Sequence, residues 1–234
     1  MRKLGMIGGT GPESTIAYYR AITEGVRGVA GEEELPRLVI ESLSVFEVMD
    51  MCPRGDLDAL TDYLVDGVEN LARAGAEIGT LTGLTPHLVF DRLQAASPIP
   101  LISAVDTSMQ FIRRRGLSKL ILLGTKFTMA EDFFTGPLRN ADIDLIVPSS
   151  EEIDYIQSKI VGELEHSIIN DDTRTELVKI VERLSDVHGA EHVILGCTEL
   201  PLILDDRTSP VPTLNVADIH TEALIAAITG TTAT

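Results

Sequence analysis

Two pairs of similar segments constrain the fold of this chain more than any other feature of its sequence. Residues 3–10 (KLGMIGGT) resemble residues 119–126 (KLILLGTK), and residues 75–77 and 189–191 both read Gly-Ala-Glu. The members of the first pair begin 116 residues apart, and those of the second pair begin 114 residues apart. One such match could arise by chance, but two matches at nearly equal separation indicate a chain of two similar halves.

The repeat also aligns two pairs of strand ends. Each Gly-Ala-Glu is followed by a strand-type run, and the eighth position after its glycine is Gly83 in the first half and Cys197 in the second. The distance from Gly8 to Gly83 is 75 residues, and that from Gly124 to Cys197 is 73 residues. The repeat therefore pairs Gly83 with Cys197 and predicts two glycine-marked strand ends in each half.

Short apolar runs alternate with helical patterns along the whole chain. This alternation, with short buried strands, predicts an α/β fold with parallel sheets. The strand-type runs are residues 4–7, 38–41, 78–82, 101–104, 119–123, 144–147, 192–195 and 212–215. Helical patterns between them include residues 14–28, 57–74, 107–115, 149–168 and 172–188.

Eight strands could also close into a (β/α)₈ barrel. That fold typically takes about 250 residues, whereas this chain has 234 and an internal repeat that divides it in two. We therefore predict two similar α/β domains, with the active site in the cleft between them. The first domain is expected to comprise residues 1–98 and, after the chain returns, about 211–234; the second is expected to comprise residues 99–210.

Charge and cysteine content limit the possible partners. The formal net charge of −17 argues against nucleic acids and anionic membranes as partners. A small anionic substrate is still compatible, because backbone N–H groups can bind one locally. The chain contains two cysteines, no apolar run of membrane-spanning length, and a strand-type run at its very start. We expect a cytoplasmic protein without a signal peptide.

Cys197 is the candidate catalytic residue. It directly follows Gly196, which ends a strand-type run, and Thr198, Glu199 and Pro201 are typical of the first turn of a helix. Open α/β sheets bind their ligands at such strand ends. A helix amino terminus would also lower the pKa of the thiol. The alternative is a buried structural cysteine.

Two loops are candidate anion sites. Residues 8–15, including Gly9 and Thr10, supply bare N–H groups and hydroxyls but match neither a dinucleotide fingerprint nor a P-loop. Thr125 and Thr128 lie in the corresponding loop of the second half. Helix capping is the alternative role for these hydroxyls, and for Ser14 and Thr15 in the first loop.

The histidines indicate neither a metal site nor a catalytic base. None has metal-ligand spacing to cysteines or carboxylates, so no metal is predicted. His87 and His220 both fall early in predicted helices and are more typical of surface or packing positions than of catalysis.

With these residues in place, the chain resembles the aspartate/glutamate racemase family over almost its full length. The resemblance implies two α/β domains, no cofactor and, often, a homodimer. It implies that Cys197 is one of two facing cysteine bases, and that threonines line the substrate, here Thr10, Thr85, Thr125, Thr128 and Thr198. We expect Gly9 and Gly83, at the same strand ends, to contact the substrate as well. The motifs that carry it are residues 8–15, 74–77, 85–87, 122–129, 189–191, 196–199 and 219–220.

The chain departs from the family at the first cysteine. The family normally has Cys-Asn-Thr where this chain has Gly83, Leu84 and Thr85, so the first thiol and the asparagine beside it are missing. Asn215 stands where the family frequently has aspartate. Racemisation removes an α-proton from one face and returns one to the other, so a chain without the first thiol lacks one base. The pair Gly83 and Cys197 resembles arylmalonate decarboxylase, in which one cysteine protonates a carbanion from one side.

Three functions remain open at this stage. The first is a racemase or epimerase of amino-acid metabolism, acting on Asp or Glu, with water or a threonine as the second base. The second is a decarboxylase, isomerase or lyase that uses Cys197 alone. The third is a binding protein that has lost the chemistry. We favour a cofactor-independent enzyme of this family that acts through Cys197 at the α-carbon of a small carboxylate or amino acid.

Overall fold

The computed structural model describes residues 1–231. In that part of the chain the strands β1–β8 are Leu4–Gly8, Leu38–Ser42, Ile78–Leu81, Leu101–Ile102, Lys119–Gly124, Asp144–Ile146, His192–Gly196 and Thr213–Asn215. The helices α1–α10 are Pro12–Ala30, Val45–Arg54, Leu57–Arg73, Phe90–Ala96, Ala104–Arg114, Lys126–Ala130, Asp132–Arg139, Ser150–Gly162, Asp171–His188 and Val216–Thr229. Three short 3₁₀ helices span Thr85–Val89, Leu164–His166 and Leu200–Leu202. No helix within residues 1–231 is long and apolar enough to cross a membrane.

The strands form two four-stranded parallel sheets, which confirms the predicted α/β class and excludes one closed barrel. The strand order is β2-β1-β3-β4 in the first sheet and β6-β5-β7-β8 in the second. All five residues of β1 are buried, as are five of the six residues of β5. Central strands of parallel sheets are covered on both faces, which is why these runs are apolar throughout rather than alternating.

The two sheets have the same strand order, with β5–β8 in the positions of β1–β4, as the sequence repeat predicts. The N–H group of Glu77 donates to the carbonyl of Lys3 at 2.8 Å, and that of Glu191 donates to the carbonyl of Lys119 at 3.1 Å. Two residues before each glutamate, a glycine has a positive φ, 84° in the first half and 68° in the second. Glycine adopts this conformation without strain, so both Gly-Ala-Glu segments make the same turn from helix to strand.

The chain divides into two compact units, at positions that differ from the predicted ones. One unit comprises Met1–Thr107 and the residues from His220 onward, and the other comprises Ser108–Ile219. The predicted boundaries, near residues 98 and 211, assign β4 to the second domain and β8 to the first. Strand pairing reverses both assignments, because β4 bonds to β3 and β8 bonds to β7. Edge strands of two or three residues carry little information in their own sequence about which sheet they join.

Candidate active site

Cys197 lies at the carboxyl edge of the second sheet, immediately after β7. The predicted α-helix does not follow it: the chain turns at Thr198 and Glu199 and makes only the 3₁₀ turn Leu200–Leu202. A competing turn ends this segment, since the carboxylate of Asp205 accepts hydrogen bonds from the N–H groups of the second and third residues after it. The macrodipole of an α-helix is therefore not available to the thiol.

A carboxylate lies directly against the Cys197 thiol. Sγ of Cys197 is 2.9 Å from Oε2 of Glu199, and the hydroxyl of Thr198 donates to Oε1 of the same carboxylate at 2.9 Å. Burial, and then the negative charge of Glu199, raises the pKa of Cys197 well above its usual value. The predicted lowering of this pKa is therefore wrong, because a carboxylate takes the place expected for a helix amino terminus.

A second carboxylate belongs to the same surroundings. Burial raises the pKa of Glu165, and the charge of Glu199 raises it further. The thiol of Cys197 is thus in an acidic environment that opposes the thiolate form. The other cysteine, Cys52, is buried in α2, and burial alone raises the pKa of its thiol.

Gly83 lies at the equivalent strand end of the first sheet, two residues after β3. A Cβ atom at this position would lie 2.9 Å from the hydroxyl oxygen of Thr10. Within residues 1–231, that hydroxyl oxygen is buried and has no hydrogen-bond partner. Thr85 begins the 3₁₀ helix Thr85–Val89 next to it. In the first unit the fold thus brings together Gly83 and Thr10, two residues that the sequence assigned to substrate binding.

The hydroxyls of the first loop are used mainly to hold the loop itself. Gly11 is the N-cap of α1 and receives no side-chain cap, so the alternative role of Ser14 or Thr15 as a cap is wrong. Instead, Ser14 donates to the carbonyl of Thr82, and Thr15 accepts from the N–H group of Gly9 at 2.9 Å. These bonds tie the start of α1 to the ends of β1 and β3.

The hydroxyls of the corresponding loop in the second unit bond to each other. Thr125 is the N-cap of α6 and accepts from the N–H group of Thr128, as the capping alternative predicts. The two hydroxyl oxygens are 3.0 Å apart. Thr128 is fully buried, and its side chain packs against the backbone at Gly124 and Gly196. A substrate contact from Thr125 or Thr128 stays a prediction.

Two buried histidines form a network in the first unit that the sequence only partly indicated. His87 Nδ1 is 3.0 Å from the carbonyl oxygen of Gly83, while its Nε2 accepts from the N–H group of Ala104 at 3.1 Å. These bonds assign the proton to Nδ1. His87 therefore donates a hydrogen bond that holds the carbonyl group of Gly83 in place. Burial lowers the pKa of His87 to about 4.

His220 is fully buried beside it and bridges α1, β3 and β4. Its Nδ1 is 2.9 Å from the hydroxyl of Tyr18, and its Nε2 is 3.0 Å from that of Thr80 and 3.1 Å from the carbonyl of Ile102. Burial, followed by the proximity of His87, lowers the pKa of His220 to about 3. Both histidines are packing residues, one of the two roles favoured from sequence. Nothing in the sequence indicated that Tyr18 would bond to His220, beyond the position of Tyr18 on the buried side of α1.

The described residues contain no group of three or more His, Cys, Asp or Glu side chains arranged to hold a metal ion. In the first unit the Thr10 hydroxyl lies against the Cβ position of Gly83, and in the second unit the Cys197 thiol and the Thr198 hydroxyl share the carboxylate of Glu199. Glu199 and Glu165 are the residues near the thiol that sequence reasoning missed as functional. The signal for Glu199 was its position two residues after the cysteine.

Comparisons with known proteins assign the chain to a racemase family. Residues 7–224 match the family Asp/Glu/Hydantoin racemase. A broad specificity amino-acid racemase, RacX of Bacillus subtilis, is 20% identical over 215 residues, which are 91% of this chain and 92% of RacX. The crystal structure of PH1733, an aspartate racemase homologue from Pyrococcus horikoshii, is 35% identical with a TM-score of 0.87, covering 98% of this chain and 100% of that chain.

Arylmalonate decarboxylase shares the fold at lower similarity. Its crystal structure aligns with a TM-score of 0.56 and 14% identity, over 99% of this chain and 94% of the decarboxylase. At this identity the comparison supports the fold alone. Amino-acid racemases and a decarboxylase therefore share this architecture.

Proposed function

Because the chain belongs to the Asp/Glu/hydantoin racemase family, we propose that it is a cofactor-independent enzyme that protonates the α-carbon of a small carboxylate from one side. The observation that carries this proposal is the 2.9 Å contact between Sγ of Cys197 and the carboxylate of Glu199. The substrate is expected to be an amino acid or a related carboxylic acid, which the family resemblance supports.

Whether the Cys197 thiol is protonated decides whether it is suited to remove an α-proton or to deliver one. A base that removes an α-proton must be a thiolate, whereas a group that delivers a proton must be a thiol. Burial and Glu199 raise the pKa of Cys197 well above its usual value, so the thiol carries its proton at neutral pH. Cys197 is therefore suited to act as a general acid toward a carbanion.

The proton balance of the step is simple. The S–H bond of Cys197 breaks and a C–H bond forms at the α-carbon, where the carbanion's electron pair takes the proton. The resulting thiolate lies beside the carboxylate of Glu199, and this repulsion favours its return to the thiol by uptake of a proton from solvent. Glu199 is expected to hold the S–H bond in position during the resting state.

The opposite partner in the repeat supplies no base. Gly83 has no side chain, and the hydroxyl of Thr10 is the side-chain group that lies nearest to a Cβ built there. A hydroxyl is a far weaker base than a thiolate, so rapid two-way racemisation is not expected. That Gly83 and Cys197 serve one site stays a prediction that the family resemblance supports.

Decarboxylation is the reaction that this arrangement would serve best. Loss of carbon dioxide from a 2-substituted malonate breaks a C–C bond and leaves the electron pair at the α-carbon, so no base is needed. The single protonated thiol then completes the reaction from one side. The unpartnered hydroxyl of Thr10 is a candidate donor to the remaining carboxylate.

The test is a substrate panel in deuterium oxide. Both enantiomers of aspartate, glutamate and several neutral amino acids, together with 2-alkyl- and 2-arylmalonates, are incubated with the protein, and deuterium at the α-carbon is measured by NMR. We expect deuterium to enter one face only. Cys197→Ala should lower the rate of deuterium incorporation at the α-carbon by about 10²–10⁴-fold. Cys52→Ala is the matched control and should leave this rate unchanged.

Two results would replace the proposal. Two-way racemisation at equal rates from both enantiomers would establish an ordinary racemase with a second base other than a cysteine at position 83. Tight binding of a panel member without any exchange or decarboxylation would establish a binding protein.

A further inference from the structure

His87 is a buried histidine, four residues after Gly83, to which the proposed reaction gives no role. Only 3% of the residue is exposed. Its ring stacks on that of Phe90, with the centroids 5.2 Å apart and the planes 7° apart, and meets the ring of His220 edge to face at 6.4 Å. Because neighbouring rings pack against both a face and an edge, the imidazole of His87 is held in one orientation.

Both ring nitrogens of His87 are bonded to the backbone. Nδ1 is 3.0 Å from the carbonyl oxygen of Gly83, and Nε2 is 3.1 Å from the backbone nitrogen of Ala104. A backbone N–H group can only donate, so Nε2 accepts from Ala104 and Nδ1 carries the proton that is donated to Gly83. Burial lowers the pKa of His87 to about 4, so the ring keeps this neutral form at neutral pH.

The bond to Ala104 attaches the His87 ring to a different element from the loop that it holds. Ala104 is the first residue of α5, which follows β4 closely. The hydroxyl of Ser103 accepts from the N–H groups of Val105 and Asp106, both at 3.1 Å. His87 and Ser103 together thus bond the N–H groups of the first three residues of α5. The ring therefore holds the loop from a fixed position at the junction of β4 and α5.

Gly83 is a residue whose backbone needs such a restraint. It lies between elements, because β3 ends at Leu81 and the 3₁₀ helix begins at Thr85. Glycine has no Cβ atom, so its backbone dihedral angles are restricted less than those of any other residue. The cysteine that the family normally has here would restrict them. In this chain, the hydrogen bond from His87 limits a rotation that the missing side chain leaves free.

The single bond to the carbonyl of Gly83 holds a whole peptide unit. The peptide between Gly83 and Leu84 is trans, and its six atoms, which include the Cα atoms of both residues, lie close to one plane. With the carbonyl oxygen held by His87, the N–H group of Leu84 points the opposite way. A rotation of this plane would move the side chain of Leu84 and would also move Gly83 relative to the hydroxyl of Thr10, which lies against its Cβ position.

From these contacts we propose that His87 is a positioning residue for the proposed reaction: by donating to the carbonyl of Gly83, it holds residues 83–85 in the arrangement in which they are expected to contact the substrate. This inference rests on the proposed function. A misplacement of about 1 Å can lower a rate about 100-fold. The bond from His87 should therefore affect kcat, although His87 acts only through Gly83.

Two amide substitutions separate the two bonds of His87. In His87→Asn the amide nitrogen can take the place of Nδ1 and donate to Gly83, whereas in His87→Gln the amide oxygen can take the place of Nε2 and accept from Ala104. Both variants lose the stacked ring, so we expect similar falls in melting temperature. The kcat for deuterium incorporation at the α-carbon should stay within about threefold of the natural value in His87→Asn and fall about 10–100-fold in His87→Gln, with a smaller change in KM. His188→Gln, at an exposed histidine, is the control and should leave kcat and the melting temperature unchanged.

The NMR resonance of the Leu84 amide gives a measurement that needs no turnover. It should keep its chemical shift in His87→Asn and should move or broaden in His87→Gln, and the nitrogen shifts of the His87 ring should show the proton on Nδ1. Equal losses of kcat in the two variants, an unmoved Leu84 resonance in His87→Gln, or a proton on Nε2 would overturn the inference. If no compound of the panel reacts while the Leu84 resonance behaves as expected, the proposed function fails, and the positioning role with it, but the bond from His87 to Gly83 is established.

Discussion

The proton on Cys197 is retained because the thiol is buried and because a carboxylate two positions away in sequence lies against it. Glu199 accepts from the thiol at one carboxylate oxygen and from the hydroxyl of Thr198 at the other. Both carboxylate oxygens are therefore occupied, and the side chain is held against the sulfur. A carboxylate held in this way opposes thiolate formation by charge repulsion. Reactivity of the thiol should thus respond strongly to the charge at position 199.

Removing that charge should make Cys197 more reactive. In Glu199→Gln the carboxylate no longer repels the thiolate, so the pKa of Cys197 falls while the effect of burial remains. We expect alkylation by iodoacetamide at pH 8 to become about three- to tenfold faster, because one pKa unit changes the thiolate fraction about tenfold. Mass spectrometry after timed quenching separates Cys197 from Cys52. Glu191→Gln, at the residue before β7, should leave the alkylation rate unchanged, and an unchanged rate in Glu199→Gln would contradict the role of Glu199.

Restoring a thiol at position 83 should restore racemisation. Gly83 does not have a positive φ, so its backbone accepts a side chain, and the hydroxyl of Thr10, 2.9 Å from a built Cβ, can rotate away. We expect Gly83→Cys to raise aspartate or glutamate racemisation over the natural protein, by up to about 10²–10⁴-fold. Adding Leu84→Asn should raise it further by giving the substrate a hydrogen bond. Circular dichroism of the amino acid follows the reaction, with Gly83→Ser as control; equal rates in all variants would count against the two-base explanation.

At the scale of elements, the loop from β1 to α1 depends on one glycine. Gly9 has φ of 77°, and a Cβ there would lie 2.1 Å from the carbonyl oxygen of Leu43. We expect Gly9→Ala to destabilise the protein by about 2–4 kcal/mol, as severe strain and overpacking do. Gly28→Ala is the control. In α1 nothing lies within 4 Å of its Cβ position, so the change should be neutral or add up to about 1 kcal/mol. Urea unfolding measures both, and similar effects of the two changes would refute this account.

The buried histidine pair links three elements of the first unit and should make its stability depend on acid. Burial lowers the pKa of His87 to about 4 and that of His220 to about 3, against about 6.5 in the unfolded chain. Between pH 6.5 and pH 4 the unfolded state therefore binds more protons than the folded state. The stability that these histidines contribute is present above pH 6.5 and is lost as the pH falls, by on the order of 2–3 kcal/mol for each at pH 4.

Urea unfolding at pH values from 7.5 to 4 tests this dependence. His220→Gln keeps a donor and an acceptor but cannot be protonated, so it should be less stable at pH 7.5 and should show a shallower decline toward pH 4. His166→Gln, a change at an exposed histidine, should keep the full slope of the natural protein. A slope that is the same in all three proteins would show that other groups cause the acid sensitivity.

At the scale of the whole molecule, the excess of negative charge opposes folding. The chain has 36 acidic and 19 basic residues, and most ion pairs within residues 1–231 involve largely exposed side chains, which stabilise weakly. Screening by salt should therefore stabilise the protein. We expect the melting temperature at pH 7.5 to rise by about 2–4 °C between 20 and 300 mM NaCl, equivalent to about 1 kcal/mol. At pH 5, close to the sequence pI of about 4.6, salt should hardly change the melting temperature. A melting temperature that falls with added salt at pH 7.5 would contradict the self-repulsion.

The sequence by itself determined the two-sheet α/β architecture and the correspondence of Gly83 with Cys197. Strand and helix signals come from the spacing of apolar residues and from glycines at turns, and these are local properties of the chain. All eight predicted strands are present, with ends that differ from the predicted ends by two residues at most. The internal repeat added the information that local signals lack, because it showed that two distant strand ends are equivalent.

Only the tertiary structure decided the edge strands, the histidine network and the state of the thiol. β8 joins β7 through hydrogen bonds that its three residues do not encode. His220 bonds to Tyr18, which is 202 positions away in sequence, so no local pattern around either residue predicts the contact. The pKa of Cys197 follows from burial and from the direction in which Glu199 turns, and a sequence specifies neither. Pairing, burial and electrostatics are properties of the folded arrangement, whereas periodicity is a property of the chain.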